Sequence, residues 1–114
     1  MDEVLGNYTT AQTATALIAA PGNSNQAIRV WSIFAMSDTA GIITFLDGTG
    51  NAVRFEVYPP AGGGANKDAP VLLNTQNFGI FTVADGEPLD VTTDITGNHA
   101  VHVIYEVIKV AGGF

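Results

Sequence analysis

Two histidines and a glutamate near the end of the chain are the residues best suited to metal or acid–base chemistry. His102 and Glu106 lie four residues apart in "VHVIYEVIKV", so on a β-strand they would share one face, about two pleats apart. His99 and His102 differ by an odd number, so strand geometry places them on opposite faces. Because metal ligands must converge, we predict no metal site here and a structural or solvent-facing role for both histidines.

The stretch "DGTGN" has oxygen-bearing residues at alternate positions, as a calcium loop does. Asp47, Thr49 and Asn51 are those residues. An EF-hand loop also needs a bidentate acid at its twelfth position and helices on both sides. Position twelve from Asp47 is Tyr58, and both flanking runs alternate like strands. Turn chemistry accounts for Asp, Gly and Asn in this stretch, so we predict a hairpin turn and no calcium site.

Enzyme motifs are also missing from the sequence. None of the serines lies in the Gly-x-Ser-x-Gly context of a hydrolase. The glycines before Lys67 lack P-loop spacing, and Asp68 follows where Ser or Thr would be needed. Four acids are close enough in sequence to suggest a glycosidase pair, but a solvated strand face explains them: Asp85, Glu87, Asp90 and Asp94. We predict no catalytic residue, no cofactor and no enzyme activity.

Composition narrows the classes of partner. The 114 residues include eleven acids and four scattered bases, for a formal net charge of −7. Counterion release from phosphates needs clustered bases, so we expect no direct nucleic-acid binding and no docking on an anionic membrane. There is no cysteine, which excludes disulfides and thiolate sites. The first ten residues have neither a basic nor an apolar region, so we expect no signal peptide and synthesis in a cytoplasm.

The elements that must position these residues are short strands separated by turns. "QAIRVWSIFAMS" (26–37) is rich in β-branched and aromatic residues, and "AVRFEVY" (52–58) alternates apolar with polar. Six further runs have strand character, separated by Gly, Pro, Asn and Asp: 13–20, 41–47, 71–74, 78–84, 89–95 and 101–110. The pattern predicts an all-β fold, an antiparallel β-sandwich of about seven or eight strands that is jelly-roll-like, with an eight-stranded barrel as the alternative.

Domain boundaries follow from the same pattern. Residues 8–110 are predicted to form one sandwich domain, residues 1–7 an N-terminal arm and residues 111–114 a C-terminal tail. The twelve-residue segment "PPAGGGANKDAP" (59–70) cannot sustain a helix or a central strand, so we expect a long loop.

Two strands are apolar on both faces, although the outer face of a sandwich strand normally meets water. Strict alternation places Ile28, Val30, Ser32, Phe34 and Met36 on one side of 26–37, opposite a second set: Ala27, Arg29, Trp31, Ile33 and Ala35. Either another part of the chain covers the second face or another subunit does. The subunit alternative predicts contacts at Arg29, Trp31, Ile33, His102, Ile104 and Ile108, with Leu5 and Phe114 anchoring the two terminal segments.

The order of turns and strands resembles small proteins encoded by tailed phages. The shared pieces are "APG" (20–22), "SDTAG" (37–41), "DGTG" (47–50), "GEPLDVTT" (86–93) and "GNHAVHVIYEVI" (97–108). Together they cover roughly residues 8–108 and are signatures of turns and strands, without catalytic residues. The segment 59–70 departs from the pattern because it is longer and richer in glycine.

The resemblance implies a capsid decoration (cement) protein. Such a protein sits on the outer head surface of the virion, binds the major capsid protein and stabilises the shell against internal DNA pressure. The resemblance also implies a homo-oligomer, with a trimer expected. The alternative is a tail, baseplate or fibre module that binds a host glycan, for which Tyr58, Asn66 and Asp68 are the candidate residues. A small enzyme or metal-binding jelly roll is a third class, disfavoured by the missing ligand clusters.

Overall fold

The chain folds into two antiparallel sheets. The computed structural model describes residues 1–48, 51–59, 71–74 and 79–110. Within these ranges it has nine strands: β1 (Asp2–Tyr8), β2 (Gln12–Ile18), β3 (Gln26–Ser37), β4 (Ile43–Asp47), β5 (Val53–Val57), β6 (Val71–Asn74), β7 (Phe81–Thr82), β8 (Leu89–Thr93) and β9 (His99–Lys109). The large sheet has the order β1-β9-β3-β6, with β7 also paired to β3, and the small sheet has the order β2-β8-β4-β5.

The connectivity is that of a long hairpin rolled onto itself. Four antiparallel pairs are nested in sequence: β1 with β9, β2 with β8, β3 with β6 and β7, and β4 with β5. Rolling then places β3 beside β9 and β4 beside β8. This is the strand order of a jelly roll. The predicted antiparallel, jelly-roll-like sandwich is confirmed, and the two separate sheets exclude the barrel alternative.

The N-terminal residues belong to the large sheet. Residues 1–7, predicted as an arm, contain most of β1, whose seven residues pair with β9 from Asp2↔Tyr105 to Tyr8↔His99 without a shift. Val4 and Tyr8 pack against the core. The N-terminal segment is therefore an edge strand of the sandwich. The predicted tail, 111–114, lies outside the described residues, as does most of the predicted loop 59–70.

The core lies between the inner faces of the sheets. Alternate residues of each long strand point inward and are fully or almost fully buried, among them Ile28, Val30, Ile33, Ala35, Ile43, Phe45, Leu89, Val91, Val101 and Val103. Burial of one such Val, Leu, Ile or Phe side chain stabilises the fold by about 1.5–3 kcal/mol. Phe81 of the large sheet stacks on Phe55 of the small sheet, with ring centroids 5.9 Å apart, and this contact joins the two sheets near one edge.

A β-bulge at Trp31 interrupts the alternation of β3. Val30 pairs with Tyr105 and Ser32 with Ile104, so Trp31 is an extra residue with no partner of its own on β9. The inward-facing residues are consequently Ile28, Val30, Ile33 and Ala35, with a step of three across the bulge. The prediction of strict alternation over 26–37 is wrong. The bulge shifts the pairing with β9 by one residue, and this shift moves every later side chain of β3 to the other face.

Within the described residues, no helix has the length and apolar character needed to cross a membrane.

Candidate interaction surface on the large sheet

Three neighbouring strands of the large sheet form an outer face, which is accessible to solvent along most of its length and buried at Ala27. Register fixes its rows across β1, β9 and β3. The rows are Asn7–Ala100–Met36, Leu5–His102–Phe34 and Glu3–Ile104–Ser32, followed by Glu106–Arg29 and Ile108–Ala27. We call this surface, together with Trp31, the outer face. Its apolar side chains lie on the solvent side of the sheet, interspersed with polar ones: Leu5, Phe34, Met36, Ala100 and Ile104 are neighbours of Glu3, Asn7, Ser32 and His102.

The larger apolar side chains of the outer face are accessible to different degrees. Leu5 is 60% exposed, and Phe34, Met36 and Ile104 are half-buried. His102 is the partner of Leu5 on the neighbouring strand β9. Its Nε2 atom lies 3.6 Å from Oε2 of Glu3, and the two side chains form an ion pair only when the histidine is protonated. An apolar surface of this kind, edged by polar groups, is typical of a site of protein contact.

The bulge gives the outer face its most ordered side chain. The indole Nε1–H of Trp31 donates a hydrogen bond to Oε1 of Glu106 at 2.9 Å. The Arg29 guanidinium lies 5.8 Å from the centroid of the Trp31 ring, in cation–π range. Trp31 is half-buried, so one part of its ring system stays open while its orientation is fixed from two sides. Little side-chain entropy remains to be lost when such a residue binds a partner.

Most of the predicted contact residues lie on this surface. The register places five of them on the outer face: Arg29, His102, Ile104, Ile108 and Leu5. Trp31 joins them through its contacts with Glu106 and Arg29. The prediction for Ile33 is wrong: it is 0% exposed and faces the core, because the bulge turns it inward. Phe114 lies outside the described residues.

Sequence reasoning missed Phe34 and Met36, which were assigned to the opposite side with Ile28 and Val30. The structure places both on the outer face, across β9 from Leu5 and Asn7. One signal was present in the sequence. If Trp31 is left out, Ile28, Val30, Ile33 and Ala35 alternate perfectly, and so do Phe34 and Met36 on the other side.

His99 is a structural histidine. It is 4% exposed, its Nδ1 lies 2.8 Å from the Gly97 carbonyl oxygen, and its Nε2 lies 2.8 Å from Thr93 Oγ1. A carbonyl only accepts, so Nδ1–H donates to Gly97, and in that tautomer Nε2 accepts from the Thr93 hydroxyl. The Tyr8 ring packs beside it at 5.4 Å. Both ring nitrogens are thus engaged in holding the ends of β8 and β9 together.

Asp47 is the centre of a structural ion pair. Its carboxylate accepts hydrogen bonds from Arg54 Nε at 2.9 and 3.0 Å and from Arg54 Nη2 at 2.6 Å. It also accepts one from the Ala84 backbone N–H at 3.2 Å. Burial of Asp47 opposes its ionisation, but the bonds from Arg54 and Ala84 outweigh burial and hold the pKa of Asp47 below its usual value. These contacts give Asp47 a structural role at the end of β4.

The remaining acids do not form a metal-ligand cluster in the described residues. Asp90 is 7% exposed, and burial raises its pKa. Asp94 Oδ1 accepts a hydrogen bond from the Ile42 N–H at 2.8 Å, which closes the turn before β4. In the described ranges no three residues of the types His, Cys, Asp and Glu are placed to hold a metal ion.

Two further surface features are open to solvent. Tyr58, one of the candidate glycan residues, is 62% exposed, and its hydroxyl donates to Glu56 Oε1 at 3.2 Å. Asn66 and Asp68 lie outside the described residues. An open cleft of about 440 Å³ lies at one end of the large sheet, and its lining has no charged side chain: Asn7, Tyr8, Thr9, Met36, Ser37, Asn98, His99 and Ala100.

Comparison with known proteins identified no relative of this chain. No protein-family model matches the chain, and neither does any curated protein or solved structure.

Proposed function

We propose that this chain is a capsid decoration protein of a tailed phage, which binds the major capsid protein on the outer head surface through the outer face. The observation that carries the proposal is the accessible apolar surface around Leu5, Phe34 and Ile104, beside a Trp31 side chain held by Glu106. The resemblance of the turn and strand order to small phage proteins supports the same function, as does the jelly-roll strand order.

The proposed mechanism is mechanical. Packed DNA pushes the shell outward, and the shell is weakest where capsomers meet. A decoration protein that contacts both sides of such a junction adds binding free energy that must be lost before the capsomers separate. Each contact is weak by itself, but a homo-oligomer, with a trimer expected, makes several contacts at high effective concentration.

Charge suits this location in the virion. The net charge of −7 favours solubility and keeps neighbouring copies from aggregating. The outer face itself carries two acids: Glu3, whose Oε2 lies 3.6 Å from His102 Nε2, and Glu106, which is opposite Arg29 in the register.

Immunogold electron microscopy of intact virions tests the location. Antibody raised against the purified chain should place gold over the head. Gold confined to the tail would favour the alternative of a tail, baseplate or fibre module, for which exposed Tyr58 beside Glu56 is the candidate glycan contact. Virions left unlabelled by an antibody that binds the purified protein would contradict an exposed virion role.

Trp31→Ala tests the surface. We expect binding to undecorated heads to weaken by about tenfold or more, because oriented Trp side chains are frequent interface hot spots. Sedimentation assays with purified heads measure the binding, and circular dichroism measures the thermal unfolding temperature. The matched control is Val53→Ala, a truncation at a residue that is 59% exposed on β5 of the small sheet and should leave binding unchanged.

The opposite pattern would contradict the assignment. If Trp31→Ala unfolds the domain as a core truncation does, Trp31 acts in folding and not at an interface. Ile33→Ala provides that reference, because its side chain is fully buried and its loss should cost about 2–5 kcal/mol of unfolding free energy.

A further inference from the structure

Strand β1 is a regular, unpaired edge of the large sheet. Its seven residues pair with β9 without a register shift, and in the described part of the chain no strand lies on its other side. An edge of this kind turns a row of N–H and C=O groups outward, ready to pair with another strand. Leu5, at its centre, is 60% exposed.

The edges of the small sheet are less suited to adding a strand. Strand β2 has two register shifts, and Ala14 within it has a positive φ of 45°. Such bulges disrupt the row of backbone groups that a new strand would meet. Strand β5 is five residues long, has exposed charges at Arg54 and Glu56, and has a shift in its pairing with β4. Natural edges are protected by these devices, which β1 lacks along most of its length.

We propose that β1 pairs in antiparallel orientation with β1 of a second copy, around a two-fold axis at Leu5. This symmetric register sets residue i opposite residue 10 − i of the second copy, so all seven residues of each strand take part. Residues opposite each other are then both even-numbered or both odd-numbered. In an edge strand the N–H and C=O groups of every second residue point outward. In this register, the outward groups of one copy therefore lie opposite the outward groups of the other.

Side chains favour the same register. Leu5 lies opposite Leu5 of the second copy, which buries two exposed side chains against each other. Glu3 lies opposite Asn7 and Asp2 opposite Tyr8, so the acidic end of each strand meets an uncharged end. Like charges directly opposite are destabilising. A register centred on Glu3 would oppose the glutamates and pair only residues 2–4.

The pairing is independent of the capsid proposal and extends the surface on which that proposal rests. It joins two large sheets edge to edge, so their outer faces become one apolar surface with the Leu5 pair at its centre. The interface is isologous, as in most two-fold oligomers.

Single-cysteine variants of the full chain test both the pairing and its register, because the natural sequence has no cysteine. Opposed residues of an antiparallel pair have Cα atoms about 4.5–5.5 Å apart, within the range that a disulfide spans. Leu5→Cys should therefore form a disulfide-linked dimer under mild oxidation about ten times faster than Val53→Cys, an equally exposed control on β5. Glu3→Cys should stay slow, because its two copies would lie about 14 Å apart.

Sedimentation of the wild-type chain is the second measurement, and it should show dimers formed by reversible association. The proposal is overturned if the wild type is a monomer at high concentration and Leu5→Cys cross-links no faster than Val53→Cys. It is also overturned if Glu3→Cys cross-links as fast as Leu5→Cys, which would exclude this register. A trimer whose Leu5→Cys form does not cross-link would overturn it while leaving the capsid proposal standing.

Discussion

At the scale of single residues, two buried aspartates on neighbouring strands respond to pH in opposite directions. Asp47 ends β4 with Arg54 and the Ala84 N–H against it, and these partners lower its pKa despite burial. Asp90 on β8 is almost as buried, and burial raises its pKa. The sequence alone does not predict these opposite pKa shifts, since each acid lies near a turn that contains glycine. The direction of the shift depends on which side chain contacts the carboxylate in the folded chain.

For Asp47 we expect a contribution to stability that is lost in acid. Its pKa is lower in the folded chain than in the unfolded chain, so the stabilisation is complete above the ordinary value of 3.8 and disappears as the pH falls through the folded pKa. Asp47→Asn should lower the unfolding free energy by about 1 kcal/mol at pH 7, a modest amount because Arg54 is partly hydrated. Urea unfolding at several pH values measures it. A cost that persists unchanged in acid would contradict the ion pair as its cause.

For Asp90 we expect the reverse. Its pKa is raised in the folded chain, so the folded state binds the proton more tightly and is penalised as the pH rises through the folded pKa. Asp90→Asn should therefore stabilise the protein at pH 7 by roughly 0.5 kcal/mol or more, and this gain should vanish below the ordinary value of 3.8. Thermal unfolding of both proteins across this range is the measurement. Destabilisation at pH 7 would show that the carboxylate has a stabilising contact that outweighs its burial.

At the scale of elements, the bulge in β3 determines which residues of the strand fill the core and which reach the outer face. It lets the strand fill the core with Ile28, Val30, Ile33 and Ala35 and still present Arg29, Trp31, Phe34 and Met36 on the other side. Bulges of this kind re-aim side chains and commonly accompany functional surfaces. The local pattern is compatible with a bulge at Trp31 but does not establish one, because the slip is defined by pairing with β9, some 70 residues later in the chain.

Deletion of single residues tests the bulge. Without Trp31 the strand alternates regularly and keeps all four inward residues, so the deletion should fold into the same sandwich with the outer face altered. Deletion of Phe34 should abolish or severely weaken folding, because it would turn Ala35 outward and place Met36 against Val101 in the core. Circular dichroism and cooperative thermal unfolding report the outcome. Equal loss of structure in both deletions would contradict the assignment of Trp31 as the extra residue.

At the scale of the whole molecule, the two surfaces that we propose for assembly, the outer face and the β1 edge, adjoin at Leu5. The proposed dimer at the edge would therefore extend the outer face offered to a larger partner. The charge of −7 works against self-association at long range and is screened within about 10 Å at moderate salt. Assembly therefore depends on short-range contacts, which only well-matched strands and apolar residues supply.

The sequence by itself determined the class of fold and the kinds of chemistry the chain lacks the residues for. Alternation of apolar and polar residues and the placement of Gly, Pro and Asn act over a few residues, so strands, turns and the all-β sandwich were predictable. The composition alone established the acidity and the absence of thiol chemistry.

Only the tertiary structure decided which residues of β3 after Trp31 face outward. It also decided that the first residues form an edge strand and that Arg54 forms an ion pair with Asp47. Each depends on a partner distant in sequence or on a one-residue shift in pairing. A shift of one residue exchanges the two faces of a strand, yet it leaves the local hydrophobic pattern almost unchanged. Two elements must be in contact before the register, and with it the exposed surface, is defined.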